Sequence, residues 1–233
     1  MELYIVRHGI AIDREDPKCP ADPERYLTEE GIAKTKLVAK GVAALGATAN
    51  AFFSSPYVRA MQTAEIFADA LHFSKEKIEK TEALLPGCDP LQLFRELARE
   101  KQASSVFCFG HAPQLDQAVA YALGSKRLLT ALKKAGVAMI ELKRVSPPSG
   151  VLIWLATPKL LRRAGERARS IRGDGYFFRP EDRQLRQRDN FSGGLKEYRL
   201  LKIGFEEMFS RCQARGGGRV DGQIRDLKPH GIG

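Results

Sequence analysis

Four side chains in this sequence have the types needed to hold and attack a multiply charged oxyanion: Arg7, His8, Arg59 and His111. Arginine gives bidentate hydrogen bonds to phosphate oxygens, and imidazole can serve as nucleophile, acid or base. A tetrahedral phosphoryl group is the ligand that fits this set best. In such a pocket His8 is the nucleophile, neutral and oriented, its second ring nitrogen held by an acceptor such as the Gly9 carbonyl. Arg7, Arg59 and His111 would surround the equatorial oxygens and stabilise the charge of an in-line transition state. No G-x-x-x-x-G-K-[ST] loop is present, which argues against the nucleotide cradle of an NTPase.

These residues need elements that bring them together. Leu3 to Val6 is a short apolar run rich in β-branched and aromatic types, as in a strand buried on both faces of a parallel sheet. It ends in Arg7-His8-Gly9, at the carboxyl edge where open α/β sheets place their ligands. Ser105 to Phe109 repeats the pattern and ends in Gly110-His111, so two strand ends can present imidazoles to one crevice. Asn50 to Ser54 reads as another strand, and Ser55-Pro56 breaks it before a helix that carries Arg59. Thr28 is the expected N-cap of a helix with acidic residues in its first turn, ended near Gly46. Residues 76–83 suggest a short strand, Leu91 to Leu97 and Leu115 to Leu123 suggest helices, and Ala135 to Leu142 and Gly150 to Leu155 suggest two last strands around a Pro-Pro turn. Strands alternating with helices predict a three-layer α/β/α sandwich with a mainly parallel sheet.

The 233 residues suffice for one sizeable domain and an appendage. The domain is expected over 1–164. From about Gly165 the texture turns rich in arginine and glycine, with apolar periodicity only near Leu195 to Phe209, so residues 165–233 are predicted to be a largely disordered basic tail. The net charge of +10 is shared: 23 basic against 18 acidic residues in 1–164, and 15 against 10 in 165–233. Cys19, Cys88, Cys108 and Cys212 form no C-x-x-C pair, so neither a zinc knuckle nor a disulfide framework is expected. No run approaches the roughly 18 apolar residues of a membrane span, and the start lacks the layout of a signal peptide. The expectation is a cytoplasmic protein, taken as a monomer, without membrane contact.

In chain order, Arg7-His8-Gly9, Leu27-Thr28-Glu29-Glu30-Gly31, Ser54-Ser55-Pro56 leading to Arg59-Ala60 and Gln62-Thr63-Ala64, Leu85-Pro86-Gly87 with Asp89-Pro90, Gly110-His111-Ala112-Pro113, and Trp154 followed by Thr157-Pro158-Lys159 and Leu161-Arg162 resemble the histidine phosphatase superfamily. The nearer resemblance is to its small SixA-type phosphohistidine phosphatases. It spans residues 1 to about 164 and implies a phosphoglycerate-mutase-like fold. It also implies a two-step reaction that needs no metal or other cofactor: His8 takes the phosphoryl group, and water then releases it as phosphate. The implied substrate and partner is a protein bearing phosphohistidine, such as a phosphotransfer domain. The lack of long insertions that could form a lid suits a protein substrate.

One departure concerns the general acid. Many superfamily members supply a glutamate before the loop that here reads Leu84 to Gly87; the aligned position is Ala83, and Glu82, one residue earlier, is the nearest carboxylate. A phosphoramidate needs less help than an ester, because imidazole leaves more readily than an alkoxide. Two alternatives stand beside this reading. One is a small-molecule phosphomonoesterase or mutase on the same scaffold. The other is a nucleic-acid-binding module working through the arginine, glycine and aromatic residues of the tail, weighted well below a simple solvated extension.

Overall fold

The computed structural model describes residues 1–100 and 103–173. Six strands form one sheet: β1 (Glu2–Arg7), β2 (Ala51–Ser54), β3 (Ile78–Lys80), β4 (Ser105–Gly110), β5 (Val137–Val145) and β6 (Pro148–Ala156). Five α-helices are described: α1 (Glu29–Ala44), α2 (Val58–Leu71), α3 (Pro90–Leu97), α4 (Gln114–Ala122) and α5 (Pro158–Gly173). The strand order is β3-β2-β4-β1-β5-β6. The first four strands run parallel, while β5 and β6 are antiparallel additions at one side. The sheet is therefore mixed, with a parallel half that carries the site.

Alternation along the central strands sends neighbouring residues into different cores. Leu3 and Ile5 of β1 with Val106 and Cys108 of β4 meet Leu93, Phe94 and Leu97 of α3 and Leu115 and Val119 of α4. Tyr4, Val6, Phe107 and Phe109 face the other way, onto Val38 and Val42 of α1, Phe67 of α2 and Leu161 of α5. Tyr4 and Phe107 stack at 4.2 Å between ring centroids. Helices thus cover both faces, as a continuously apolar strand requires.

The α1 start follows the sequence expectation. The Thr28 hydroxyl accepts the Gly31 N–H at 3.0 Å, and the first turn carries Glu29 and Glu30. Helix α5 differs from expectation, since it runs through position 165, where the texture changes. Its face toward α1 joins buried Leu161 to close backbone approach: a Cβ on Gly41 would lie 2.0 Å from the Leu161 carbonyl oxygen, and one on Gly165 would lie 2.4 Å from that of Leu37. Pro158 suits its first turn, where a missing N–H costs no helical hydrogen bond. Residues 174–233, on which most of the predicted basic tail falls, lie outside the described residues. Among the described residues, no helix is long and apolar enough to cross a membrane.

Chain connectivity opens a crevice between β1 and β4. After β1 the chain leaves to α1 on one face, and after β4 it leaves to α4 on the other. Two adjacent parallel strands whose connections diverge in this way form a switch point, the usual ligand position in open α/β sheets.

Candidate active site

Arg7 pairs in register with Gly110 at the end of the two strands, and the His8 N–H donates to the Gly110 carbonyl at 3.0 Å. This sets His8 and His111 side by side, their ring centroids 5.1 Å apart. Both are buried, 8% and 3% exposed, as is Arg59 at 3%. All four residues singled out by type therefore lie at or beside one crevice.

His8 is held in one tautomer. Its Nδ1 lies 2.8 Å from the Gly9 carbonyl, which can only accept, so Nδ1 carries the proton and Nε2 keeps a lone pair. Burial pushes its pKa down to about 3; the hydrogen bond to Gly9 opposes this, and the charges of Arg59, Arg7 and Lys134 reinforce it. The ring is neutral at physiological pH, as a nucleophile must be. Gly9 is fixed in turn: its N–H donates to Thr63 Oγ1 at 3.0 Å, and the Thr63 hydroxyl donates to the Arg59 carbonyl at 2.7 Å. A Cβ at Gly9 would stand 2.4 Å from Thr35 Oγ1, so the residue after His8 has no room for a side chain.

His111 is set by Ser55. Ser55 Oγ accepts the Tyr57 N–H at 3.3 Å and lies 2.9 Å from His111 Nε2. When the hydroxyl gives its proton to Nε2, Nδ1–H becomes the donor of His111. That nitrogen is buried without a partner. Burial, then the neighbouring His8 and Arg59, push the His111 pKa down to about 3. The Tyr57 ring contacts both partners, 5.3 Å from the His111 centroid and 5.0 Å from Arg59 Cζ.

The two guanidinium groups are anchored from behind. Arg7 Nη1 donates to the Leu132 carbonyl at 2.6 Å. The Leu132 N–H and the Thr130 hydroxyl both donate to Asp116 Oδ1, at 2.9 and 2.7 Å, and Asp116 is itself buried in α4. Arg59 donates to the Asp22 carbonyl at 2.5 Å and to Asp22 Oδ2 at 3.2 Å. Although partial burial opposes it, hydrogen bonding from Arg25 and the charge of Arg59 hold the Asp22 carboxyl below its usual range. Burial pulls both arginine pKa values down, while Asp116 and Asp22 oppose the shift at Arg7 and Arg59 respectively.

Beside the crevice, three buried nitrogens have no partner among the described residues: Arg7 Nε, Arg59 Nε and His111 Nδ1. Unpaired buried donors are costly and uncommon. Here they flank an unprotonated nitrogen, which is the arrangement that a phosphoryl group attacked by His8 Nε2 would complete. Glu82 lies exposed in a 3₁₀ turn (Glu82–Leu84), and its carboxylate makes no hydrogen bond among the described residues; Ala83 beside it is buried in the core.

Reasoning by residue type passed over Ser55, Thr63, Asp22, Asp116 and the Leu132 carbonyl. Two of these left a trace in the sequence. Thr63 stands four positions after Arg59, one helical turn on, and Asp116 is the one charge in an otherwise uncharged helix. Asp22 sits in a polar loop, where nothing marks it, and a backbone carbonyl carries no sequence signal.

Residues 3–85 match the model of the histidine phosphatase superfamily, branch 1. An uncharacterized protein of Picosynechococcus sp. is 36% identical over 138 residues, which cover 59% of this chain and 82% of that protein. Among solved structures, the protein histidine phosphatase SixA complexed with tungstate superposes with a TM-score of 0.62 at 24% identity, over 69% of this chain and 99% of that one. A phosphoserine phosphatase mutant from Entamoeba histolytica in complex with phosphoserine superposes with a TM-score of 0.52 at 15% identity, over 68% and 98% of the two chains.

Proposed function

The chain belongs to the histidine phosphatase superfamily, and we propose that it removes the phosphoryl group from phosphohistidine on a cytoplasmic protein such as a phosphotransfer domain. His8 Nε2 attacks phosphorus in line, the P–N bond of the substrate breaks, and the leaving imidazole takes a proton from solvent or from its own protein. Arg7, Arg59 and His111 bind the equatorial oxygens through the donors that are otherwise unpaired. Water then attacks the phosphohistidine formed on the enzyme, which releases inorganic phosphate and restores neutral His8. No step calls on a metal ion.

The observation that carries the choice of substrate is the turn at residues 82–84. Its buried positions, Ala83 and Leu84, carry no acid, and its carboxylate, Glu82, is exposed and makes no hydrogen bond among the described residues. A site without a placed carboxylic acid suits a phosphoramidate better than an alkyl ester. The fold likeness to a protein histidine phosphatase points the same way. A small-molecule phosphomonoesterase or mutase is the second reading, favoured by the likeness to a phosphoserine phosphatase; it calls for a working acid.

The test is release of acid-labile phosphate from a histidine-phosphorylated phosphotransfer domain, in chelator, by wild type, His8→Ala and Glu82→Gln. Loss in the first variant and near-normal turnover in the second are expected. Wild type that ignores the phosphoprotein and turns over phosphoserine or a sugar phosphate would refute the proposal in favour of the second reading.

A further inference from the structure

We infer that the loop between α4 and β5, residues 124–134, is a docking face for an acidic protein surface, namely that of the phosphohistidine carrier; this rests on the reading just proposed. The loop carries Lys126, Arg127, Lys133 and Lys134, all exposed, and no acidic residue. Between these cations, Leu128 and Leu129 are 56% and 55% exposed, the most exposed large apolar side chains among the described residues.

The loop is pinned, so these leucines cannot simply fold inward. The Ser125 N–H donates to the Ala120 carbonyl at 2.9 Å. Asp116 holds Thr130 and Leu132 from below, and the Leu132 side chain is buried in the core. An ordered apolar patch rimmed by charge is a common mark of a protein contact site. Charge selects the occupant. A second copy of this chain is basic, and its own residues 165–233 carry the same sign, so complementarity favours an acidic partner.

Position ties this face to the chemistry. One end of the loop reaches the phosphate pocket: the Leu132 carbonyl receives Arg7, the Ala135 N–H donates to the carbonyls of Arg7 and His8, and the charge of Lys134 bears on His8. The other end lies past the far terminus of α4, whose nine residues span about 13 Å. A typical interface of about 800 Å² per partner is a disc of about 16 Å radius. A protein whose phosphohistidine entered the pocket would therefore cover the loop, whereas a small phosphate ester would not reach Lys126 to Leu129. At that far end a groove of about 590 Å³, lined by Tyr121, Lys126, Arg127, Leu128, Pro147 and Pro148, offers a recess for apolar side chains.

The experiment compares full-length K126E/R127E and L128S/L129S with wild type and with K40E/K77E, a charge-matched control whose sites are exposed elsewhere. Steady-state kinetics are measured on a net-negative, histidine-phosphorylated phosphotransfer domain and on phosphoramidate. We expect KM for the phosphoprotein to rise about tenfold in both loop variants. Its kcat, and all phosphoramidate kinetics, should stay within about twofold, as should the K40E/K77E control. Unchanged KM for the phosphoprotein, or equal loss on phosphoramidate, overturns the docking face and leaves the activity standing. A wild-type dimer that L128S/L129S dissociates gives the face to a second copy and likewise overturns it. No release from the phosphoprotein by wild type overturns the activity and the docking face together.

Discussion

His8 follows β1 and His111 follows β4, two strands paired in parallel, yet the two rings turn opposite nitrogens toward the pocket. At His8 a carbonyl takes the Nδ1 proton and leaves Nε2 bare. At His111 a serine hydroxyl engages Nε2 and leaves Nδ1 without a partner. Burial keeps both rings neutral, so neither difference in charge nor difference in residue type separates them. A single hydrogen bond to each ring does, and in the proposed function it makes one the nucleophile and the other a donor to the phosphoryl oxygens. The proposed division of labour rests on the second contact of each side chain.

Breaking the first half of this pair has the largest effect. His8→Ala should lower turnover by at least about 10⁴-fold, and rapid quench should find no acid-labile phosphoenzyme. His111→Ala keeps the nucleophile and removes one donor, so kcat should fall by about 10²–10³-fold while the phosphoenzyme still forms. If the two variants were equal in both readouts, the assigned roles would be wrong. Ser55→Ala sharpens the contrast: the His111 ring loses what fixes its tautomer, and a kcat loss of about tenfold is expected, with Ser55→Thr restoring most of it. An unchanged rate in Ser55→Ala would show that the serine does not set the tautomer.

A further effect is on stability and belongs to both rings. The folded imidazoles titrate near 3, and in the unfolded chain near the ordinary 6.5. Between these values the unfolded chain binds more protons, so the contribution is complete above pH 6.5 and declines as pH falls toward 3, at up to about 1.4 kcal/mol per pH unit for each ring. Urea unfolding at pH 7 and pH 5 should show the decline, and His111→Gln should lessen it. A variant with the same pH slope as wild type would place the linkage elsewhere.

The sequence was informative wherever chemistry sat at the end of a strongly apolar strand. Arg7, His8 and His111 are legible because continuous runs stop at them, and Arg59 because Ser55-Pro56 separates a strand from its helix. Thr28 marks the start of α1 by a local cap, which needs no tertiary context. Helix α5 escaped because close backbone contacts at glycines, beside a single buried leucine, Leu161, help seat it on α1. The anchors of the two arginines escaped for a related reason: each rests on a backbone carbonyl, at Leu132 and at Asp22, and a carbonyl belongs to every residue alike.

The seating of α5 on α1 also has a consequence in time. Gly41 and Gly165 are 124 positions apart in the chain, and at about 5–20 residues per second the ribosome needs about 6–25 s to travel from one to the other. Until then α1 lacks the neighbour that covers it, and the strand bearing the nucleophile lacks β5 as well. The nascent amino-terminal half therefore waits with apolar surface uncovered, and holding chaperones have their opportunity in that interval.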